Sequence, residues 1–292
     1  MPELPEVETV RRGLNQVTLA QPIRDGEILL DRSIAHPHPG SFLAALVGLS
    51  IQQWHRRGKY LLAELSQPAK SDEPVKAGAG WQSGGWLGVH LRMTGQLLWM
   101  SQSEPVQKHC RVRLSFPNGQ ELRFVDQRTF GQLWYVPSGI PPEQVMSGLM
   151  RLGPEPFSPE FSVAYLCQCL QGRQRAIKTA LLDQALVAGV GNIYADEALF
   201  LSGIAPQTLS SQLDVTQVER LHGSVLKVLQ DSIDARGTTF SDFRNVSGIN
   251  GNYGHIAWVY NRRGEPCRVC ETVIQRTKLA GRSAHFCPRC QT

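Results

Sequence analysis

At 292 residues the chain is long enough for about two domains of ~150 residues, each with its own core, which excludes a disulfide-stapled miniprotein. A composition that is 41% hydrophobic and 19% charged, with 6 Trp and 10 Phe, excludes a chain disordered throughout. Thirty Lys plus Arg against 25 Asp plus Glu leave a formal charge of +5, which permits a polyanionic partner without requiring one.

The chain opens on Met-Pro-Glu-Leu-Pro-Glu, with acids where a secretory signal would carry bases. Its nearest approach to a membrane span, Leu43 to Ser50, falls far short of ~18 apolar residues, so a soluble, cytosolic protein is expected. Pro5 suits a first helical turn, and Val7, Val10 and Leu14 recur at helical spacing, which predicts a helix at the start. Short apolar runs at Leu49 to Trp54, Lys59 to Leu65, Trp86 to Met100 and Cys110 to Phe124, the last turning at Pro117 to Gln120, predict a mostly antiparallel β domain. Residues 66–85, rich in Ser, Pro, Gly and Ala, read as a loose insertion within a hairpin. Leu-Gly-Pro-Glu-Pro-Phe-Ser-Pro at 152–159 breaks both periodicities and marks a domain boundary. Beyond it, Phe161 to Leu170, Gln174 to Gln184, Ile193 to Leu201 and Val215 to Ala235 read as helices, followed by a Gly- and Asn-containing loop over 236–254.

Of the 7 cysteines, four form Cys267-x-x-Cys270 and Cys287-x-x-Cys290 with 16 residues between the pairs. Four thiolates in two short turns close a tetrahedron around one structural Zn²⁺, in a ribbon too small to fold without it. Between them Gly281 permits a tight hairpin tip, so that Arg282 projects from its end; a solvated basic face is the plainer reading. Gly189-Val-Gly191-Asn192 places turn glycines and an N-cap residue before a helix, whose free amides could receive a phosphate, and Arg173, Arg175 and Lys178 add cations upstream. The glycine segment alone reads as an ordinary helix-turn-helix corner; the upstream cations move the reading toward a nucleic-acid backbone clamp. At the N-terminus, removal of Met1 would leave Pro2 with a nucleophilic secondary amine beside the carboxylate of Glu3, although Pro-Glu-x-Pro-Glu is also an ordinary helix start. Lys59 lies at a hairpin turn, and Met93, Arg128 and Phe130 are the residue types that fill a base stack after a nucleotide is extruded.

Taken together, Pro2-Glu-Leu-Pro-Glu through Arg-Arg-Gly13, Arg57-Gly-Lys-Tyr-Leu61, His90-Leu-Arg-Met-Thr-Gly95, Asp126-Gln-Arg-Thr-Phe-Gly131, Gly189-Val-Gly-Asn-Ile-Tyr-Ala195 and the closing cysteine module resemble the bacterial formamidopyrimidine-DNA glycosylases across essentially the whole chain. The resemblance implies an α+β fold: an N-terminal antiparallel β-sandwich with flanking helices (1–137), a helix-two-turn-helix domain (152–245) and a C-terminal zinc ribbon (246–292), with DNA held in the cleft between. It implies Pro2 as Schiff-base nucleophile, Glu3 as proton donor in base release, Lys59 for β-elimination and phosphate binding, and Arg282 for δ-elimination and DNA grip. His90, His109, Lys178 and Asn192 match backbone contacts, and Met93, Arg128 and Phe130 match the wedge facing the vacated stack. The implied partner is double-stranded DNA containing an oxidised base, for which a monomer suffices.

This sequence departs from the family pattern at Thr129, where a second arginine is common, at Glu271, where glycine is usual, and in the loop Ser247 to Tyr253. A homologue resembling endonuclease VIII, which prefers oxidised pyrimidines, is the rival enzyme; Leu4 and Arg128-x-Phe130 argue against it. A non-catalytic zinc-ribbon DNA-binding protein would have no need of Pro2, Glu3 and Lys59 together.

Overall fold

The computed structural model describes residues 1–68, 81–238, 246–249 and 251–292. The described residues fall into two compact units, the first drawn from Met1–Pro2, Glu6–Met150 and Ser241–Gly251, the second from Glu3–Pro5, Arg151–Phe240 and Asn252–Thr292.

In the first unit, helix α1 (Leu4–Val17) buries Val7, Val10 and Leu14 completely, as their spacing predicts. Among the described residues of this unit there are two sheets. One runs in the order β1 (Asp25–Ile28), β7 (Cys110–Ser115), β8 (Gln120–Asp126), β6 (Gly95–Ser101). The other runs β2 (Ile34–His36), β9 (Gln132–Val136), β5 (Trp81–His90), β4 (Tyr60–Pro68), β3 (Ser50–Arg57), with helix α2 (Pro39–Leu46) and the short helices α3 (Pro142–Val145) and α4 (Ser147–Met150) beside them. Strand β7 alternates as a half-buried strand should: Cys110, Val112 and Leu114 point inward while Arg111 and Arg113 do not. Trp54, Leu87, Val89, Leu97, Val112, Leu122 and Phe124 from the two sheets share one core, the packing of a β-sandwich.

Two expectations change here, and the mostly antiparallel pairing holds apart from one pair. The predicted run Trp86 to Met100 is two strands, because Leu91–Thr94 turn the chain from the five-stranded sheet into the four-stranded one, a break that continuous apolar character hides. The pair β2 and β9 is parallel, and β1, β2 and α2 are too short or too near an edge to signal themselves. The ends of the supposed insertion 66–85 are strand, with Ser66 and Gln67 paired to Ser83 and Gln82, while 69–80 lies outside the described residues.

Glu8 joins α1 to β3. It accepts from Arg11, Arg12 and Arg56 at 2.7–3.3 Å. Burial alone would raise its carboxyl, but the hydrogen bonds of Arg11 and Arg12 and the charge of Arg56 bring it down to about 2.

The second unit is built on helices α5 (Val163–Leu170), α6 (Ile177–Leu181), α7 (Asn192–Ser202) and α8 (Val215–Asp234), with the ribbon β10 (Gln275–Leu279) and β11 (Arg282–Phe286). Helix α6 is shorter than the periodicity predicts, because residues 173–176 spend their backbone groups on 209–211 instead: Ser210 and Ser211 donate to the carbonyls of Arg175 and Arg173. Helix α8 opens with a reciprocal capping box between Asp214 and Gln217. The predicted loop 236–254 is described only in part, since 239–245 and 250 lie outside the described residues. Among the described residues no helix is long and apolar enough to cross a membrane.

Helix α7 carries two adjacent, fully buried acids, Asp196 and Glu197. Glu197 accepts from three successive amides, Trp258 at 2.7 Å, Val259 at 2.9 Å and Tyr260 at 2.8 Å, and so anchors the segment that leads into the ribbon. Burial raises its pKa, and the three amides oppose that rise. Glu197→Ala leaves three amides without acceptors and should cost about 3 kcal/mol or more, read as a fall of several degrees in thermal midpoint. An unchanged midpoint contradicts the anchoring role.

Candidate active site

The start of α7 is a site made by the chain itself. Its first turn presents backbone amides with no partner in the helix, and the helix dipole adds positive potential there. The amide of Ile193 donates to Glu3 Oε1 at 3.0 Å, with that of Tyr194 at 3.5 Å from Oε2, and Glu3 is only 2% exposed. A Cβ on Gly191 would stand 2.3 Å from the Glu3 carboxyl carbon, so the carboxylate lies flat on a residue that must lack a side chain. This corrects the sequence reading in two respects. The amides expected to be open to a phosphate hold the carboxylate of Glu3, and the N-cap is Gly191, with Asn192 the first helical residue.

Lys178, expected as a contact to the DNA backbone, is completely buried, with Nζ 2.6 Å from Asp196 Oδ1 and donating to the carbonyl of Ser283. Burial lowers its pKa, against the pull of Asp196. Of its predicted companions, Arg175 pairs with Asp183 at 2.9 Å. The second oxygen of Asp196 accepts from the His285 amide at 2.9 Å, so one carboxylate ties Lys178 to strand β11. Asn192 reaches the same strand, donating to Ser283 Oγ at 3.4 Å. Arg282 begins this strand and is exposed, following a two-residue tip in which Ala280 and Gly281 both have positive φ, 46° and 80°, as a tight hairpin requires. Asp196 and Glu197 were absent from the sequence reading. Two acids inside the apolar run Ile193 to Leu201 were the available signal, since buried acids need partners.

The four cysteines converge as predicted. All four Sγ atoms lie within 4.8 Å of one another, with separations such as 3.3, 3.4 and 3.9 Å that suit the edges of a tetrahedron with ~2.3 Å Zn–S bonds. Amides of Val269 and Cys290 point at the sulfurs of Cys267 and Cys287 at 3.4 Å, which supports thiolate charge. Cys267, Cys270, Cys287 and Cys290 thus form the site of one structural zinc, over a small core of Phe200, Val259 and Ile274. Glu271 takes a positive φ of 64° beside it, which explains why glycine suits that position. Metal analysis should find one zinc per chain, and Cys287→Ser should lose both zinc and DNA affinity; a zinc-free preparation that binds DNA normally would contradict this.

In the first unit, Pro2 is buried, and Lys59 stands in the β3–β4 turn after Gly58, 7% exposed and so not the plain solvated lysine of a surface hairpin. His90 is buried against the Tyr60 ring, 4.4 Å between centroids, and its Nδ1 accepts from the Arg92 amide at 3.0 Å. Burial, with the nearby charges of Arg92 and Lys59, pushes its pKa down to about 3, so His90 is a neutral group offering Nε2–H and not a cation. His109 is half-buried, with Nδ1 3.2 Å from the Arg111 guanidinium. Met93 lies on the turn that follows His90. Phe130 is 51% exposed, with the Arg128 guanidinium 5.0 Å from its ring centre.

Because folded His90 stays neutral down to about 3 while an unfolded histidine titrates near 6.5, its stabilising contribution is complete above pH 6.5 and is lost progressively as pH falls toward 3. Between pH 7 and 5 the loss amounts to at most about 2 kcal/mol, and His90→Gln should flatten that slope in urea unfolding. An equal decline in both proteins contradicts the assignment.

Comparison with known proteins covers the same chain from end to end. Residues 1–133 match the formamidopyrimidine-DNA glycosylase N-terminal domain, 152–244 the formamidopyrimidine-DNA glycosylase H2TH domain, and 264–292 the zinc finger found in FPG and IleRS. A formamidopyrimidine-DNA glycosylase of Nostoc sp. is 61% identical over 100% of both chains. Among solved structures, a Lactococcus lactis FPG mutant in complex with Fapy-dG containing DNA aligns with a TM-score of 0.86 at 34% identity, covering 100% of each chain. A complex between Lactococcus lactis Fpg and an abasic site containing DNA aligns with a TM-score of 0.86 at 33% identity, covering 99% of each.

Proposed function

This chain belongs to the formamidopyrimidine-DNA glycosylase family, and from that premise we propose that it is a bifunctional glycosylase and AP lyase that excises oxidised purines from duplex DNA. The observation that carries the reading is the placement of Glu3: a buried carboxylate, held on the amides of α7, directly follows Pro2 in the chain. A proton-transfer group must be fixed to within a hydrogen bond of its target, and a carboxylate pinned at a helix start meets that demand.

With Met1 removed, the Pro2 nitrogen attacks C1′ of the damaged nucleotide, and the bond to the base breaks with its electron pair leaving on the base. Glu3 protonates the departing base and takes up the proton that the Pro2 nitrogen sheds; it then passes that proton to the sugar ring oxygen, whose departure under the push of the nitrogen's lone pair gives an iminium. The iminium acidifies C2′; loss of that proton expels the 3′ phosphate, and a second elimination expels the 5′ phosphate. Water then hydrolyses the iminium and restores the amine. Lys59 and Arg282 serve the two eliminations and bind phosphate, while His90, His109 and Asn192 contact the DNA backbone. Lys178, neutralised by Asp196, acts through the strand that bears Arg282. Phosphate contacts position the duplex and make affinity salt-sensitive. Met93, Arg128 and Phe130 fill the gap left by the flipped nucleotide, which an exposed aromatic under a guanidinium is suited to do.

Borohydride should trap one covalent protein–DNA adduct, mapping to the N-terminal residue. Glu3→Gln keeps an oxygen to accept from α7, so folding and DNA binding should persist while base release falls by roughly 100-fold or more. An adduct mapped to Lys59 overturns the nucleophile, and an unimpaired Glu3→Gln overturns the acid.

A further inference from the structure

The two turns that present Met93 and Arg128 with Phe130 are separate in sequence, and the same small polar joint holds both. Strands β6 and β8 pair with Gly95 opposite Asp126, which brings the turn ending at Thr94 beside the loop that begins at Asp126. The Thr94 hydroxyl donates to Asp126 Oδ1. The Arg128 amide is shared between Thr94 Oγ1 at 2.9 Å and Asp126 Oδ1 at 3.2 Å, and the other carboxylate oxygen accepts from the Gly131 amide at 2.7 Å. The side chain of Asp126 therefore brackets the loop at both ends.

The bracket holds a conformation that the loop would not adopt unaided. Thr129 has a φ of 58°, a left-handed backbone that a β-branched residue takes at a cost, and its hydroxyl is turned onto the Arg128 carbonyl at 2.7 Å. Gly131 can lie against the carboxylate only without a side chain, since a Cβ there would meet the Phe124 ring at 2.4 Å and Asp126 Oδ2 at 3.1 Å. From beneath, Asp126 is 1% exposed and itself fixed: its amide donates to the His109 carbonyl at 2.9 Å and its carbonyl accepts from Arg111 Nε at 2.8 Å.

We propose that Thr94 and Asp126 are positioning residues that lock the Met93 turn and the Arg128–Phe130 loop into one preorganised insert, so that DNA meets a single rigid wedge. This rests on the wedge reading of Met93, Arg128 and Phe130. Inserting side chains into a stack succeeds only if they do not retreat into their own loop, and preorganisation supplies that resistance.

The test compares, at single turnover, base release from an intact 8-oxoguanine duplex with strand cleavage at a preformed abasic site, using Thr94→Val, Thr94→Ser and Phe130→Ala, each checked for an unaltered thermal midpoint. Thr94→Val keeps shape and removes the hydroxyl; it should slow release from the intact duplex tenfold or more and cleavage at the abasic site less than threefold. Thr94→Ser should restore the wild-type ratio. If Phe130→Ala shifts the ratio and Thr94→Val does not, or if Thr94→Val slows both substrates equally, the joint has no positioning role while the wedge stands. If Phe130→Ala leaves the ratio unchanged, the wedge reading falls and the joint's role falls with it. Should Thr94→Val prove unstable, Asp126→Asn is read in the same way, and an unchanged ratio overturns the proposal.

Discussion

The amides at the start of α7 need an acceptor, and they find it in a carboxylate 190 positions away, that of Glu3. This contact satisfies a helix terminus and sets a carboxylate where the helix dipole favours it. It demands glycine at 191, because any side chain would stand where the carboxyl lies. The same helix then carries the obligations downstream. Asp196 holds Lys178 and the amide of His285, and Glu197 gathers the amides of 258–260, so the segment entering the ribbon and the strand bearing Arg282 are both referred to α7. Buried acids of this kind add little net stability when paired, but removing one partner is costly, which makes them devices for geometry.

The first unit meets a different demand. A sandwich of two sheets buries Trp54, Phe124 and their neighbours in one core and leaves residues such as Lys59 and Met93 on the turns between strands. Charges near those turns are handled by burial or pairing. Glu8 is kept ionised by three arginines, while His90 is kept neutral by its surroundings and the charges of Arg92 and Lys59. A neutral histidine donor beside a buried lysine separates hydrogen bonding from cationic attraction within a short stretch of backbone.

Local chemistry was legible in the sequence, and long-range partners were not. The cysteine spacing fixed the zinc site because its geometry lies within one ribbon, and the tip at Ala280-Gly281 followed from the glycine. The apolar stripe of α1 was visible for the same reason. The start of α7 was read as an open anion site because the anion that fills it comes from the other end of the chain. The pairing of Lys178 is not legible in its own segment because Asp196, its partner, sits one helix later. The run through Trp86 to Met100 hid a change of sheet, since both strands face the same core. The Pro2-Glu3 start is recognisable through resemblance; its residues alone also describe an ordinary helix start.

The dependence of the chemistry on one helix terminus is tested most directly by single-turnover base release from Gly191→Ala. Its backbone, φ −135° and ψ −160°, suits alanine, so the fold and the zinc should persist while the methyl displaces the Glu3 carboxylate from the α7 amides. The predicted result is base release depressed to the level of Glu3→Gln with binding to abasic DNA retained. Base release at the wild-type rate in a folded, zinc-loaded Gly191→Ala protein would contradict the central place given to this contact.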